Sequence, residues 1–140
     1  MGALGSWLLA LALALAAWLA TIAAREVNAR GASGMARLLL LFGLAATIAG
    51  IPAGLASPWL SSMDPTAHSY PAIVWTLAIW TCLHAAVAAI MQTYVLARSL
   101  AGRMTPRHDA DIRNVAVYMH FFALTAVVAY ATIGLFPELA

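Results

Sequence analysis

Lysine is absent from this chain, cysteine occurs once, and charged side chains make up only 9% of its 140 residues. Each shortage excludes something. The single cysteine, Cys82, has no second cysteine to pair with, so the chain is not a disulfide scaffold. A net charge of +2, from seven basic and five acidic groups, is too small for a nucleic-acid binder. Soluble domains are about 25% charged and about 45–50% apolar, whereas this chain is 64% hydrophobic with a mean hydropathy of +0.91. Disorder and a water-soluble enzyme are excluded together.

What the chain does contain is apolar sequence in long runs. Arg25, Glu26, Arg30 and Arg37 form one charged group, and Asp64 stands alone. Arg98, Arg103, Arg107, Asp109, Asp111 and Arg113 form another, and Glu138 lies near the end. Between them run four charge-free stretches, about 6–24, 38–60, 71–97 and 114–136. Each is close to or above the roughly 20 residues that carry a helix across about 30 Å of hydrocarbon. None is a short alternating segment of the barrel-strand kind. The expected fold is all-α and integral to the membrane: one domain of four transmembrane helices. The first stretch is read as a retained helix and not as a secretory signal. No basic residue precedes Arg25, and the run exceeds the roughly 7–15 apolar residues of a signal core.

All seven basic residues fall between stretches one and two or between three and four. The positive-inside rule then places both termini on the outer, periplasmic side of a bacterial inner membrane. Arginine without lysine, in a chain rich in Ala and Leu, suggests a GC-rich bacterial genome.

Within the helices, the Leu/Ala alternation from Leu9 to Leu15 leaves no polar face, so most of helix one can meet lipid. Trp7 fits an interfacial aromatic belt. In helix two, Ala46, Gly50 and Gly54 stack at four-residue spacing, with Gly43 a turn earlier. Such a small-residue ridge admits another backbone, either of a partner or of this chain. Pro52 should kink the same helix. Asp64 and His68, four apart in the Pro-rich outer turn, suit a solvated loop better than a metal site.

Two histidines, His84 and His120, fall inside the membrane and call for a functional hypothesis. Joint ligation of one haem needs them at one depth. Counted from Arg98 and Arg113 at about 1.5 Å per residue, His84 lies about 21 Å deep and His120 about 10 Å. That offset favours hydrogen bonding of each histidine within a packed interface; equal depths would restore the haem reading. No stretch contains an Asp, Glu, Lys or Arg for a proton relay, and no phosphate cradle, paired carboxylate or activated nucleophile is visible. The chain has no evident active site of its own.

The second half carries a resemblance. His84, the run Ala97-Arg98-Ser99-Leu100-Ala101-Gly102-Arg103, and Arg113-Asn114-Val115-Ala116-Val117-Tyr118-Met119-His120-Phe121 resemble subunit III of the haem–copper cytochrome c oxidases. Tyr118-Met119-His120-Phe121 stands where that family has a Tyr-Trp-His-Phe-type motif, and His84 matches a histidine on its preceding helix. The run from Asp64 to Tyr70, together with Leu135-Phe136-Pro137, looks most like oxidases whose subunits I and III are fused. The resemblance spans about residues 64–137. The family has seven helices and a membrane-embedded glutamate. This chain has four apolar stretches and no such acid, so no role tied to that glutamate carries over.

The resemblance implies a non-catalytic subunit that packs against subunit I, binds phospholipids and supports proton uptake and complex stability. Haems and copper are then expected in partner subunits I and II, with none on this chain and no metal or nucleic acid bound. Candidate interface residues toward subunits and lipid are Gly43, Gly50, Gly54, His84, Arg98, Arg103, Arg113, Asn114, Tyr118 and His120. The alternative expectation is a haem-binding membrane anchor of a quinone-linked dehydrogenase.

Overall fold

The computed structural model describes residues 3–139, with side-chain surroundings for 5–135. It consists of four helices: α1 (Ala3–Ala29), α2 (Ser33–Leu60), α3 (Ser69–Leu100) and α4 (Ala110–Leu139). Phe136, Pro137 and Glu138 lie outside the residues whose side chains are described. All four helices are long and apolar enough to cross a membrane, so the chain is a multi-pass membrane protein. Each packs on its neighbour in sequence, and α1 closes the ring against α4. The most extensive pairing is α1 with α2, joined by a turn of only a few residues.

The buried positions recur at alternating spacings of three and four. On α1 the recurrence runs through Trp7, Ala10, Ala14, Ala17, Thr21, Ala24 and Asn28, with Ser6 and Ala20 buried beside it. Helix α2 contributes Ala36, Leu40, Gly43, Thr47, Gly54 and Ser57, and α3 contributes Val74, Ala78, Thr81, Ala85, Ala88, Gln92, Val95 and Ser99. Helix α4 adds Ile112, Val115, Met119, Phe122, Ala126, Ala129 and Ile133. A seven-residue repeat of this kind is the geometry of left-handed helix bundles. Small and polar residues make up much of the core on α1, α2 and α3, and the core also holds larger ones such as Leu40, Met119, Phe122 and Ile133, while Leu8, Leu19, Phe42, Ile90 and Leu124 are exposed. Lipid chains are as apolar as Leu, so close backbone approach and interhelical hydrogen bonds select the buried face.

Helix ends are set by backbone geometry. Gly31, Ser62 and Gly102 adopt positive φ of 83°, 50° and 68°. After each, the chain folds back in the same way: Ala32 N–H donates to Val27 O, Met63 N–H to Pro58 O and Arg103 N–H to Arg98 O, at 3.1, 3.1 and 3.0 Å. These are Schellman closures, which satisfy carbonyls that the helix leaves free. The helices therefore run past the charge-free stretches. Arg25, Glu26, Arg37, Arg98, Asp111 and Arg113 lie on helical turns, not in loops as expected. Hydropathy marks the hydrocarbon, whereas the hydrogen-bond ladder ends only where φ changes sign.

Other expectations also change. Helix α3 starts at Ser69, which puts Pro71 in its first turn, where its missing N–H costs nothing. Helix α2 continues through Pro52 to Leu60. Trp7 is buried, its ring 3.6 Å from the position a Cβ on Gly134 would take, so it packs against α4 instead of joining an outward belt. Helix α1 buries Ala10, Ala14, Ala17, Ala20 and Ala24 and exposes Leu8, Leu9 and Leu19, a difference of size between faces that the Leu/Ala alternation conceals.

Candidate functional site

The centre of the bundle is polar. Gln92 on α3 is fully buried. Its Nε2 donates to Thr21 Oγ1 on α1 at 3.0 Å, and its Oε1 accepts from Thr47 Oγ1 on α2 at 2.8 Å. Met119 Sδ on α4 lies 3.7 Å from the same Nε2. One amide thus touches all three other helices. Gly43 makes room for it: a Cβ there would sit 3.3 Å from Ala17 O and Thr21 Oγ1 and 3.4 Å from Gln92 Nε2. A Cβ on Gly50 would meet Leu13 at 3.7 Å, and one on Gly54 would collide with the Tyr130 hydroxyl. The glycine ridge therefore faces this chain's own α1, α3 and α4 and serves intrachain packing, not an outer groove.

His84 sits in the seam between α3 and α4. Its Nδ1 lies 3.1 Å from the Tyr118 hydroxyl, which also reaches the His84 carbonyl at 3.4 Å. The imidazole is held edge-on by Trp80 and Phe121, with ring centroids at 4.8 and 5.1 Å. His84 Nε2 is enclosed without a hydrogen-bond partner.

His120 is placed differently. It is exposed on the α1/α4 side, and Trp18 Nε1–H donates to its Nδ1 at 2.7 Å. Indole nitrogen only donates, so this Nδ1 must carry a lone pair. The imidazole is then neutral, with its proton on Nε2.

The 10 Å offset between the two histidines is not what the structure shows. The His84 ring packs on Phe121, the residue next to His120. Arg98 and Arg113 were unequal depth marks, because the ring contact sets His84, 14 residues from Arg98, beside Phe121, which is only 8 residues from Arg113. The histidines differ in the face they occupy more than in depth.

Comparison with protein-family models and with curated proteins returns no match. The chemistry is therefore read from geometry. Among the described residues, no three His, Cys, Asp or Glu side chains cluster as a metal site requires. Asp64 and His68 do not converge: Asp64 Oδ1 accepts from Thr66 N–H at 2.8 Å and Thr66 O–H at 2.7 Å. Those two bonds hold the exposed carboxyl below the usual carboxylate range.

Of the sequence-selected residues, Arg98, Arg113 and Asn114 gather at one end of the α3/α4 seam. Asn114 lines a cleft of about 330 Å³ there with Tyr94 and Asp111. Arg103 is exposed in the connecting loop. The structure joins His84 with Tyr118 and separates both from His120. Sequence reasoning passed over Gln92, Thr21, Thr47 and Trp18. The signal for Thr21, Thr47 and Gln92 was a seven-residue recurrence of small and polar residues; Trp18 lies outside that recurrence.

Proposed function

We propose that the chain is a non-catalytic, subunit III-like subunit of a respiratory haem–copper cytochrome c oxidase in a bacterial inner membrane. In this reading it packs against subunit I, binds phospholipid and supports complex stability and proton uptake, while subunits I and II carry the haems and copper. Both termini face the periplasm, because the Arg-rich turns at the opposite end favour the cytoplasm. Those arginines also suit anionic headgroups there.

The observation that carries the reading is how the bundle spends its polar groups. Gln92, Thr21 and Thr47 satisfy one another along the axis, and His84 is bonded to Tyr118. Among the described residues no Asp, Glu, Lys or Arg interrupts the charge-free stretches and His84 is bonded within the bundle, so the interior suits holding helices together better than moving protons or electrons. The ordered motifs across residues 64–137 direct this packing role toward the oxidase family.

The second reading, a haem-binding anchor of a quinone-linked dehydrogenase, gains from the closeness of His84 to Phe121. It is set back by the proton on His120 Nε2, since binding iron there would require breaking the Trp18 hydrogen bond. Purification through a tag in mild detergent, with a reduced-minus-oxidised spectrum and mass spectrometry, separates the two. An oxidase spectrum with copurified subunits I and II supports the first reading, and His84→Ala should leave haem content unchanged. A b-type haem on this chain alone overturns it.

A further inference from the structure

A small cavity lies between all four helices, beside Gly50 and Thr47 of α2 and Tyr130 of α4. Eight of its ten lining residues are buried, so it belongs to the core and not to a surface cleft. It offers about 10 Å³ to the centre of a water molecule. One buried water needs roughly 10–15 Å³ on that measure, so nothing larger fits.

Size alone does not make a water site, because apolar cavities stay dry. This wall is polar, and its donors and acceptors do not balance. Tyr130 is only 6% exposed, and among the described residues its hydroxyl makes no hydrogen bond. That hydroxyl is held over Gly54, where Cys82 Sγ also converges. A buried O–H without an acceptor is costly. The other polar groups of the wall have the opposite need. Thr47 Oγ1 donates to Gly43 O at 2.9 Å, Thr81 Oγ1 to Leu77 O at 2.8 Å and Cys82 Sγ to Ile51 O at 3.5 Å. With their protons committed, the two oxygens and the sulfur can only accept.

We propose that this cavity binds one water, which accepts the Tyr130 hydroxyl and donates to acceptors of α2 and α3 among Thr47, Thr81 and Cys82. Water is the species that both accepts and donates at this size. It joins α4 to the polar axis of the bundle, where Gln92 meets α4 through the Met119 sulfur, a weak acceptor. The site concerns the interior of this chain and holds whether or not the chain belongs to an oxidase.

The test is X-ray radiolytic labelling of the whole chain in mild-detergent micelles, read by mass spectrometry. Radiolysis of a bound water releases a hydroxyl radical against the side chains beside it. Tyr130 and Phe122, both buried at the wall, should be oxidised. Met119, fully buried and more easily oxidised but outside the wall, should not be. Gly50→Ala fills the site, since its methyl would stand 3.7 Å from Leu13, an ordinary contact. Labelling of Tyr130 and Phe122 should then fall to the level of Met119. Tyr130→Phe should lower the folded-to-unfolded ratio about two- to tenfold, the range of one net hydrogen bond. In the Gly50→Ala background the same change should cost nothing, because the water it would lose is already displaced. The labelling of the parent chain requires no variant to fold. Tyr130 and Phe122 left unlabelled, or Met119 labelled as strongly as they are, overturns the proposal. So does a Tyr130→Phe chain as stable as the parent, or an equal Tyr130→Phe loss with Gly50→Ala in place.

Discussion

Removing the Gln92 amide separates two contributions that its burial combines. In Gln92→Leu the bonds to Thr21 and Thr47 disappear while most of the volume stays. Neither threonine is orphaned: Thr21 still donates to Ala17 O at 2.8 Å and Thr47 to Gly43 O at 2.9 Å. The cost is therefore that of two interhelical hydrogen bonds. At about 0.6 kcal/mol each in membranes, with a ceiling near 1.7, the loss should be about 1 kcal/mol and no more than about 3. Gln92→Ala removes the same bonds and also empties space on the axis, where large-to-small changes cost about 2–5 kcal/mol. The alanine variant should therefore be the weaker by about 2 kcal/mol. The assay is reversible unfolding in mixed micelles titrated with a denaturing detergent, followed by helicity. A double-mutant cycle with Thr47→Val should return a coupling of about 0.6–1.7 kcal/mol. Zero coupling, or a leucine variant more stable than the parent, would refute the idea that this amide ties the helices together.

Four further outcomes follow from the geometry. Gly54→Ala should destabilise by about 1–3 kcal/mol through overpacking against Tyr130, and adding Tyr130→Phe should recover much of the loss in the same titration. Ser62→Gly should stabilise by up to about 1 kcal/mol, because Ser62 closes α2 at φ 50° without the freedom of glycine. Asp111→Asn should cost less than about 1 kcal/mol, a difference that shrinks in high salt, since its pair with Arg98 is about one-third exposed. The outer turn should loosen in acid. The Asp64 carboxyl is lowered, so its stabilisation is present above the ordinary value of 3.8 and is lost as pH falls through the folded value. The neighbouring Trp75 indole, bonded to Met63 O at 2.9 Å, reports this by NMR, and an Asp64→Asn variant that kept the same pH response would remove Asp64 as the cause.

The number of helices and the single charge-rich end of the bundle were legible because hydrocarbon tolerates so little charge. Helix ends were less legible, since Gly31 and Gly102 stop their helices by backbone sign and several charged residues precede those stops. The buried faces were harder still. A search for hydrophobic stripes misses alanines at positions 10, 14, 17 and 24, which pack because they are small. Trp18 and His120 stand 102 residues apart, and no local pattern pairs them. Depth counted from charges failed for His84 because the chosen arginines are not level.

The bonds of Gln92 to Thr21 and Thr47, and of Trp18 to His120, all join the first hairpin to the second. Neither hairpin is chemically finished alone. Without α1 and α2, the α3–α4 pair would show lipid a bare amide and an imidazole lacking its indole; without α3 and α4, Trp18 would lose its acceptor. The two hairpins are complementary fragments. A break in the outer turn between them, around residues 61–68, severs one covalent connection and leaves intact the reason the halves recognise each other.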